Sequence, residues 1–139
     1  MDFKQLAVLL EAAGRITTLS TVDEAGAPNA AVFGSVHLLG ENTLALAMGE
    51  NRSLHNLRSN PRAVLLVALP GPQVLSWRGA RVYLELAGTA TSGPLLEGMV
   101  KQVAEQAGSM AARMIRCAVT FRITAMRPLI DFPGAGPGG

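Results

Sequence analysis

Apolar residues follow two rhythms along this chain, and the switch between them lays out its elements. In the first rhythm they recur every three or four positions: Phe3, Leu6 and Leu10 share one helical face, with Asp2 placed to cap it, Gln5 in capping-box position and Gly14 closing it. The second rhythm is alternation or continuous apolarity. Ile16 to Val22 is rich in β-branched residues and ends at the polar turn Asp23-Glu24-Ala25-Gly26-Ala27-Pro28, which leads into a long apolar run from Asn29 to Leu39. These two runs predict a hairpin. Gly40-Glu41-Asn42 predicts another tight turn before a strand from Thr43 to Met48, so three consecutive strands are expected to be antiparallel.

At Gly49 the strand pattern breaks into a short helix, Glu50 to Arg58, which ends before Asn60-Pro61. Ala63 to Leu69 is wholly apolar and predicts a buried central strand. Pro70-Gly71-Pro72 opens a loop through Gly79, after which Val82, Leu84 and Leu86 alternate with Arg81, Tyr83 and Glu85 in a strand running to about Thr91. Gly93-Pro94 starts a helix that keeps its period through Leu95, Met99 and Val103 to Gly108, with a shorter helical turn from Ser109. The last strand alternates most cleanly, with Cys117, Val119, Phe121 and Ile123 on one face. Six strands and three helices result. Many strands, few helices and no repeated strand–helix alternation predict a mainly β protein, an antiparallel barrel with flanking helices, rather than a doubly wound sheet.

After Pro133, residues 134–139 spell a G-x-G-x-x-G pattern. A dinucleotide fingerprint needs a strand before its glycines and a helix after them, and neither is predicted here. One domain over residues 1–132 and a disordered Gly/Pro tail over 133–139 are expected.

Composition narrows the partners. A chain of 139 residues fits one domain burying roughly two-thirds of its unfolded surface. With 49% hydrophobic and 16% charged residues, it is more apolar than a solitary globule of this size needs, so a partner subunit, most simply in a homodimer, is expected to cover part of it. The net charge of +2 is scattered without basic runs, which argues against nucleic acid. The single cysteine, Cys117, sits in an alternating apolar run and reads as a small core residue. The opening Met1-Asp2-Phe3-Lys4-Gln5 lacks a signal peptide's layout and no apolar stretch approaches the ~20 residues that span a bilayer, so a cytoplasmic protein without membrane association is expected.

The helix after Gly49 begins with a cation where local physics prefers an anion. Helix N-termini carry unpaired N–H groups and partial positive charge, so an arginine in the first turn is unfavourable by roughly 0.3–1 kcal/mol unless something negative binds there. Asn51 is placed to cap this helix, Ser53 adds a hydroxyl, and the Arg52 guanidinium presents N–H groups that match phosphate oxygens two at a time. With the backbone N–H groups, these residues form a candidate phosphate seat. The alternative is a solvated helix start whose arginine extends into water.

Other chemistry is missing. His37 and His55, with one cysteine and no tight acidic cluster, do not show metal-ligand spacing. No G-x-S-x-G elbow or G-x-x-x-x-G-K-[ST] loop occurs, and Cys117 has no evident base nearby. No catalytic side chain and no metal site are expected. A barrel with one anion cup suits a protein whose reactivity is carried by a bound cofactor.

Four stretches carry a family resemblance: Leu19 to Asn29, Met48 to Leu57, Asn60-Pro61-Arg62-Ala63-Val64 and Leu86-Ala87-Gly88-Thr89-Ala90. In this order and spacing, from about Phe3 to Phe132, the chain resembles the pyridoxamine 5'-phosphate oxidase-like split barrels, and within them the small FMN-binding proteins. The resemblance implies a six-stranded antiparallel split barrel holding FMN. It would place Arg52 and Ser53 on the FMN phosphate, with Asn51 at the helix start, and would set Ala47, Met48 and Gly49 along the isoalloxazine edge. Ala31, Val32 and Phe33 would line the other side, with ordinary core packing as the alternative for these three. It also implies a homodimer whose second subunit completes the flavin pocket near the interface, where Trp77 and Tyr83 are available for stacking. The full-length vitamin B6 oxidases carry further basic residues in segments unmatched here, so the shorter FMN-binding subgroup is the nearer relative. The function expected is a flavoprotein oxidoreductase or electron carrier with an unnamed donor or acceptor. The alternatives are an NAD(P)H-dependent flavin reductase and a non-redox module for another phosphorylated ligand.

Overall fold

The computed structural model describes residues 1–133; apart from Pro133, the tail expected to be disordered lies outside the described residues. Seven strands form one antiparallel sheet: β1 (Ile16–Val22), β2 (Pro28–Val32), β3 (Val36–Gly40), β4 (Thr43–Met48), β5 (Arg62–Leu69), β6 (Arg78–Ala90) and β7 (Cys117–Pro128). Their order across the sheet is β2-β1-β5-β6-β7-β4-β3, so the two edge strands are neighbours in sequence. One cluster containing Leu19, Leu65, Val82, Phe121, Leu44 and Phe33 draws on strands from both ends of that order, and the sheet therefore curls around a single core. This is the split barrel.

The expected six strands become seven because the apolar run from Asn29 to Leu39 does not stay one strand. It ends as β2 at Val32, turns through Phe33-Gly34-Ser35, and resumes as β3 on the opposite edge of the sheet. Phe33 is buried at the turn and the strands on either side pair with different partners, β2 with β1 and β3 with β4. Both hairpin turns form as predicted. Asp23 Oδ1 accepts from the Ala25 and Ala27 N–H groups at 2.8 and 2.9 Å, and Asn42 adopts a φ of 61° in the β3–β4 turn, a conformation that asparagine tolerates well.

Four α-helices flank the sheet: α1 (Phe3–Glu11), α2 (Arg52–Ser59), α3 (Pro94–Ala107) and α4 (Ser109–Met114). In α1 the Asp2–Gln5 capping box is complete, with both bonds at 2.8 Å, and Leu6 and Leu10 enter the core. A one-turn 3₁₀ helix, Val74–Ser76, lies in the loop before β6. Helix α3 packs on β4 and β7, where Leu96 and Met99 meet Ala45 and Ala118. That cover explains why Ala118, on the face of the last strand opposite Cys117, is buried as well. Helix α2 packs on β1 and β2, immediately after the end of β4, and this placement creates the site.

Candidate functional site

The first turn of α2 is capped by a side chain and leaves donors open at its mouth. Asn51 has extended backbone and its Oδ1 accepts from the Leu54 N–H at 2.8 Å, while its carbonyl accepts from the His55 N–H at 3.1 Å. Helix geometry then leaves the N–H groups of Arg52 and Ser53 as the uncapped donors of the mouth. No acidic residue stands in this first turn. The nearest carboxylate in sequence, Glu50, is drawn away by Arg58, whose guanidinium donates to it at 3.0 and 3.3 Å. That contact holds the exposed Glu50 carboxyl below its usual range.

Arg52 is exposed, and no hydrogen bond or ion pair engages its side chain among the described residues. Ser53 is 1% exposed, with its Oγ buried and without a partner. A cation with nothing to bind and a buried hydroxyl with nothing to bind thus sit on adjacent residues of one helix mouth. Both are costly features left uncompensated by the described residues.

The seam between the sheet's edges runs past this mouth. The outermost β3–β4 pair is Val36 with Leu46, so Ala47, Met48 and Gly49 continue beyond β3 and have no strand beside them on that side. Across the barrel, β2 carries Ala31 and Val32 along its own edge, and α2 packs against it. Helix α2 thus follows Ala47, Met48 and Gly49 directly in the chain and packs on the strand that carries Ala31 and Val32. Their side chains differ in environment: Met48 and Phe33 are core residues, Ala31 packs against the core, and Val32 is 74% exposed. Val32 and Phe33 also border a recess of about 380 Å³ with Arg15, Ile16 and Thr17, which Arg52 does not line.

Two residues have structural duties that sequence reading did not show. A Cβ on Gly49 would sit 2.5 Å from the Met114 carbonyl oxygen, so glycine is needed for α4 to close on the β4–α2 turn. The Met48 carbonyl accepts from the Arg116 N–H at 2.8 Å, which already engages one of its lone pairs. His37 lies apart, lining a cavity of about 610 Å³ with residues of α1 and α3. It is hydrogen-bonded to Ser35 at 2.9 Å and burial lowers its pKa. His55 is exposed on α2. Among the described residues, no three His, Cys, Asp or Glu side chains gather as a metal site, and no helix is long and apolar enough to cross a membrane.

A family model described as pyridoxamine 5'-phosphate oxidase matches residues 4–128, nearly the whole chain. The chain belongs to the pyridoxamine 5'-phosphate oxidase family. Solved structures agree on the fold. One similar structure is that of an FMN-binding protein from Syntrophomonas wolfei subsp. wolfei, with a TM-score of 0.77 and 24% identity over 93% of this chain and 91% of that one. HupZ of Group A Streptococcus has a TM-score of 0.71 and 18% identity, covering 98% of this chain and 100% of that one. The heme storage protein HutZ from Vibrio cholerae has a TM-score of 0.66 and 15% identity, covering 91% and 94%. A search of curated proteins returned no match. Structures of this fold are thus described by different cofactors, and the residues of the individual chain must decide which cofactor fits.

For FMN the residues present do fit. A phosphate monoester would meet an unengaged guanidinium, the two uncapped N–H groups and an unpartnered hydroxyl. The ring would lie along backbone that pairs with β7 on one side and has no strand neighbour on the other.

Proposed function

We propose that this protein is an FMN-binding flavoprotein that uses its cofactor for electron or hydride transfer. The observation that carries the reading is the mouth of α2, where the Arg52 guanidinium and Ser53 Oγ have no hydrogen-bond partner among the described residues. In this reading Arg52 holds the phosphate through its guanidinium, Ser53 through its N–H and hydroxyl, and Asn51 shapes the turn. Ala47, Met48 and Gly49 offer backbone to one edge of the ring, and Ala31, Val32 and Phe33 wall its other side. FMN, when bound, supplies one- or two-electron chemistry; the chain supplies binding, orientation and exclusion of water. No side chain is assigned as acid or base.

The reading includes a cytoplasmic homodimer with the flavin near the subunit interface. Val32, exposed beside the seam, and Tyr83, half-buried on the outer face of β6, are the surfaces a second subunit would cover. The donor or acceptor is left to experiment.

Titration of the purified protein with FMN, riboflavin and hemin tests the proposal. It predicts a bound flavin spectrum and tighter binding of FMN than of riboflavin. Uptake of hemin with no response to FMN would overturn it. Anaerobic mixing of the flavin-loaded protein with NADH and NADPH then asks whether a nicotinamide donor bleaches the flavin, as a flavin reductase requires.

A further inference from the structure

The two halves of the proposed flavin site are joined from beneath by one buried hydrogen bond. Asn56 lies on the inward face of α2, one turn after Ser53 and 1% exposed, and its Nδ2 donates to Thr21 Oγ1 at 3.1 Å. Thr21 is fully buried on β1 and stands opposite Asn29 of β2, two residues from Ala31. The bond therefore links the helix that carries Arg52 to the strand pair that carries Ala31 and Val32. Asn56 Oδ1 has no partner among the described residues, so among them the contact to Thr21 is the side chain's one directional tie.

The other contacts of α2 with the barrel are of a different kind. Leu54 and Leu57 enter the apolar core, and such contacts are non-directional, so they resist separation more than rotation of a short helix about its axis. A hydrogen bond has a narrow length and angle. Arg52 and Asn56 are four residues apart and lie on the same side of α2, so fixing the azimuth of Asn56 also fixes the direction in which the first turn presents its donors.

We propose that Asn56 and Thr21 are positioning residues that hold the mouth of α2 in register with the edge of β2, so that a phosphate and the ring attached to it are bound together. The inference rests on the reading of that mouth as a phosphate seat. It assigns the pair no contact with the cofactor. Its effect is the affinity gained from the phosphate, measured as the ratio of riboflavin to FMN dissociation constants.

The test uses the full chain and measures both dissociation constants and thermal unfolding for wild type, Thr21→Ser, Thr21→Val, Asn56→Leu and the double variant Thr21→Val/Asn56→Leu. Thr21→Ser keeps the hydroxyl and should keep the wild-type ratio. Thr21→Val and Asn56→Leu should each lower the ratio about tenfold, the equivalent of one lost charge-assisted hydrogen bond to the phosphate. The double variant faces apolar against apolar, so it should recover thermal stability relative to Thr21→Val while its ratio stays low. This variant keeps the test open if the single changes fold poorly. A ratio that is unchanged in the variants, or that returns together with stability, would overturn the positioning role alone. A wild-type protein that binds both flavins equally would overturn the phosphate seat, and the inference with it.

Discussion

Replacing Arg52 by alanine separates two effects of opposite sign. The guanidinium is exposed and engages no partner among the described residues, so its removal should leave the fold intact. It also removes a cation from the positive end of α2, which should stabilise the flavin-free protein by about 0.3–1 kcal/mol, or about 1–4 °C in a domain of this size. Against FMN the same change removes charge-assisted hydrogen bonds of about 1.5–3 kcal/mol, which weakens binding about 10- to 150-fold. Riboflavin, lacking the phosphate, should bind both proteins alike. The assay is quenching of flavin fluorescence at low ionic strength, where screening of an exposed charge is weakest, paired with thermal unfolding of the free protein. A variant that loses less than twofold in FMN affinity would place the phosphate elsewhere. A variant that melts lower than wild type would show that Arg52 holds the fold after all.

Three further outcomes follow from contacts around the site. Asn51→Ala removes the cap from Leu54 and should lower stability by about 0.5–2 kcal/mol in a denaturant titration, weakening FMN at the same time. Gly49→Ala forces a methyl against the Met114 carbonyl and should destabilise the protein by about 1–3 kcal/mol, read from the midpoint of unfolding. Asp131 accepts from Arg81 at 2.5 Å, and this partner holds its carboxyl below the usual range. A lowered folded pKa gives stability that is present above the unfolded pKa and lost as pH falls through the folded one. Asp131→Asn should therefore melt below wild type at pH 7, and the gap should close once the pH drops beneath the ordinary carboxylate range.

Where local chemistry decides, residues alone were informative. The Asp2–Gln5 box, the Asn51 cap, the Asp23–Gly26 turn and the Gly93-Pro94 helix start were all legible because each is satisfied within a few residues. The seventh strand was not, because nothing in the apolar run from Asn29 to Leu39 records that its two halves pair at opposite edges of the sheet. Two boundaries shifted for a related reason. β6 begins at Arg78 rather than after Gly79 and β7 continues to Pro128, since long-range pairing of Arg78 with Leu69, Ala80 with Pro128 and Val82 with Met126 carries strands through residues with weak local pattern. At the site, the inverted charge of Arg52 pointed to the helix mouth. The Asn56–Thr21 bond was invisible because it joins residues 35 apart, although Ser53 and Asn56 among the core leucines Leu54 and Leu57 mark a polar strip on a buried face.

A crystal structure of the protein with FMN tests most directly whether the phosphate is held at the mouth of α2. It should show phosphate oxygens within hydrogen-bonding distance of the Arg52 guanidinium and the first-turn N–H groups, with the ring extending toward Ala31 and Ala47. A well-ordered FMN whose phosphate lies away from Arg52 and Ser53 would contradict it.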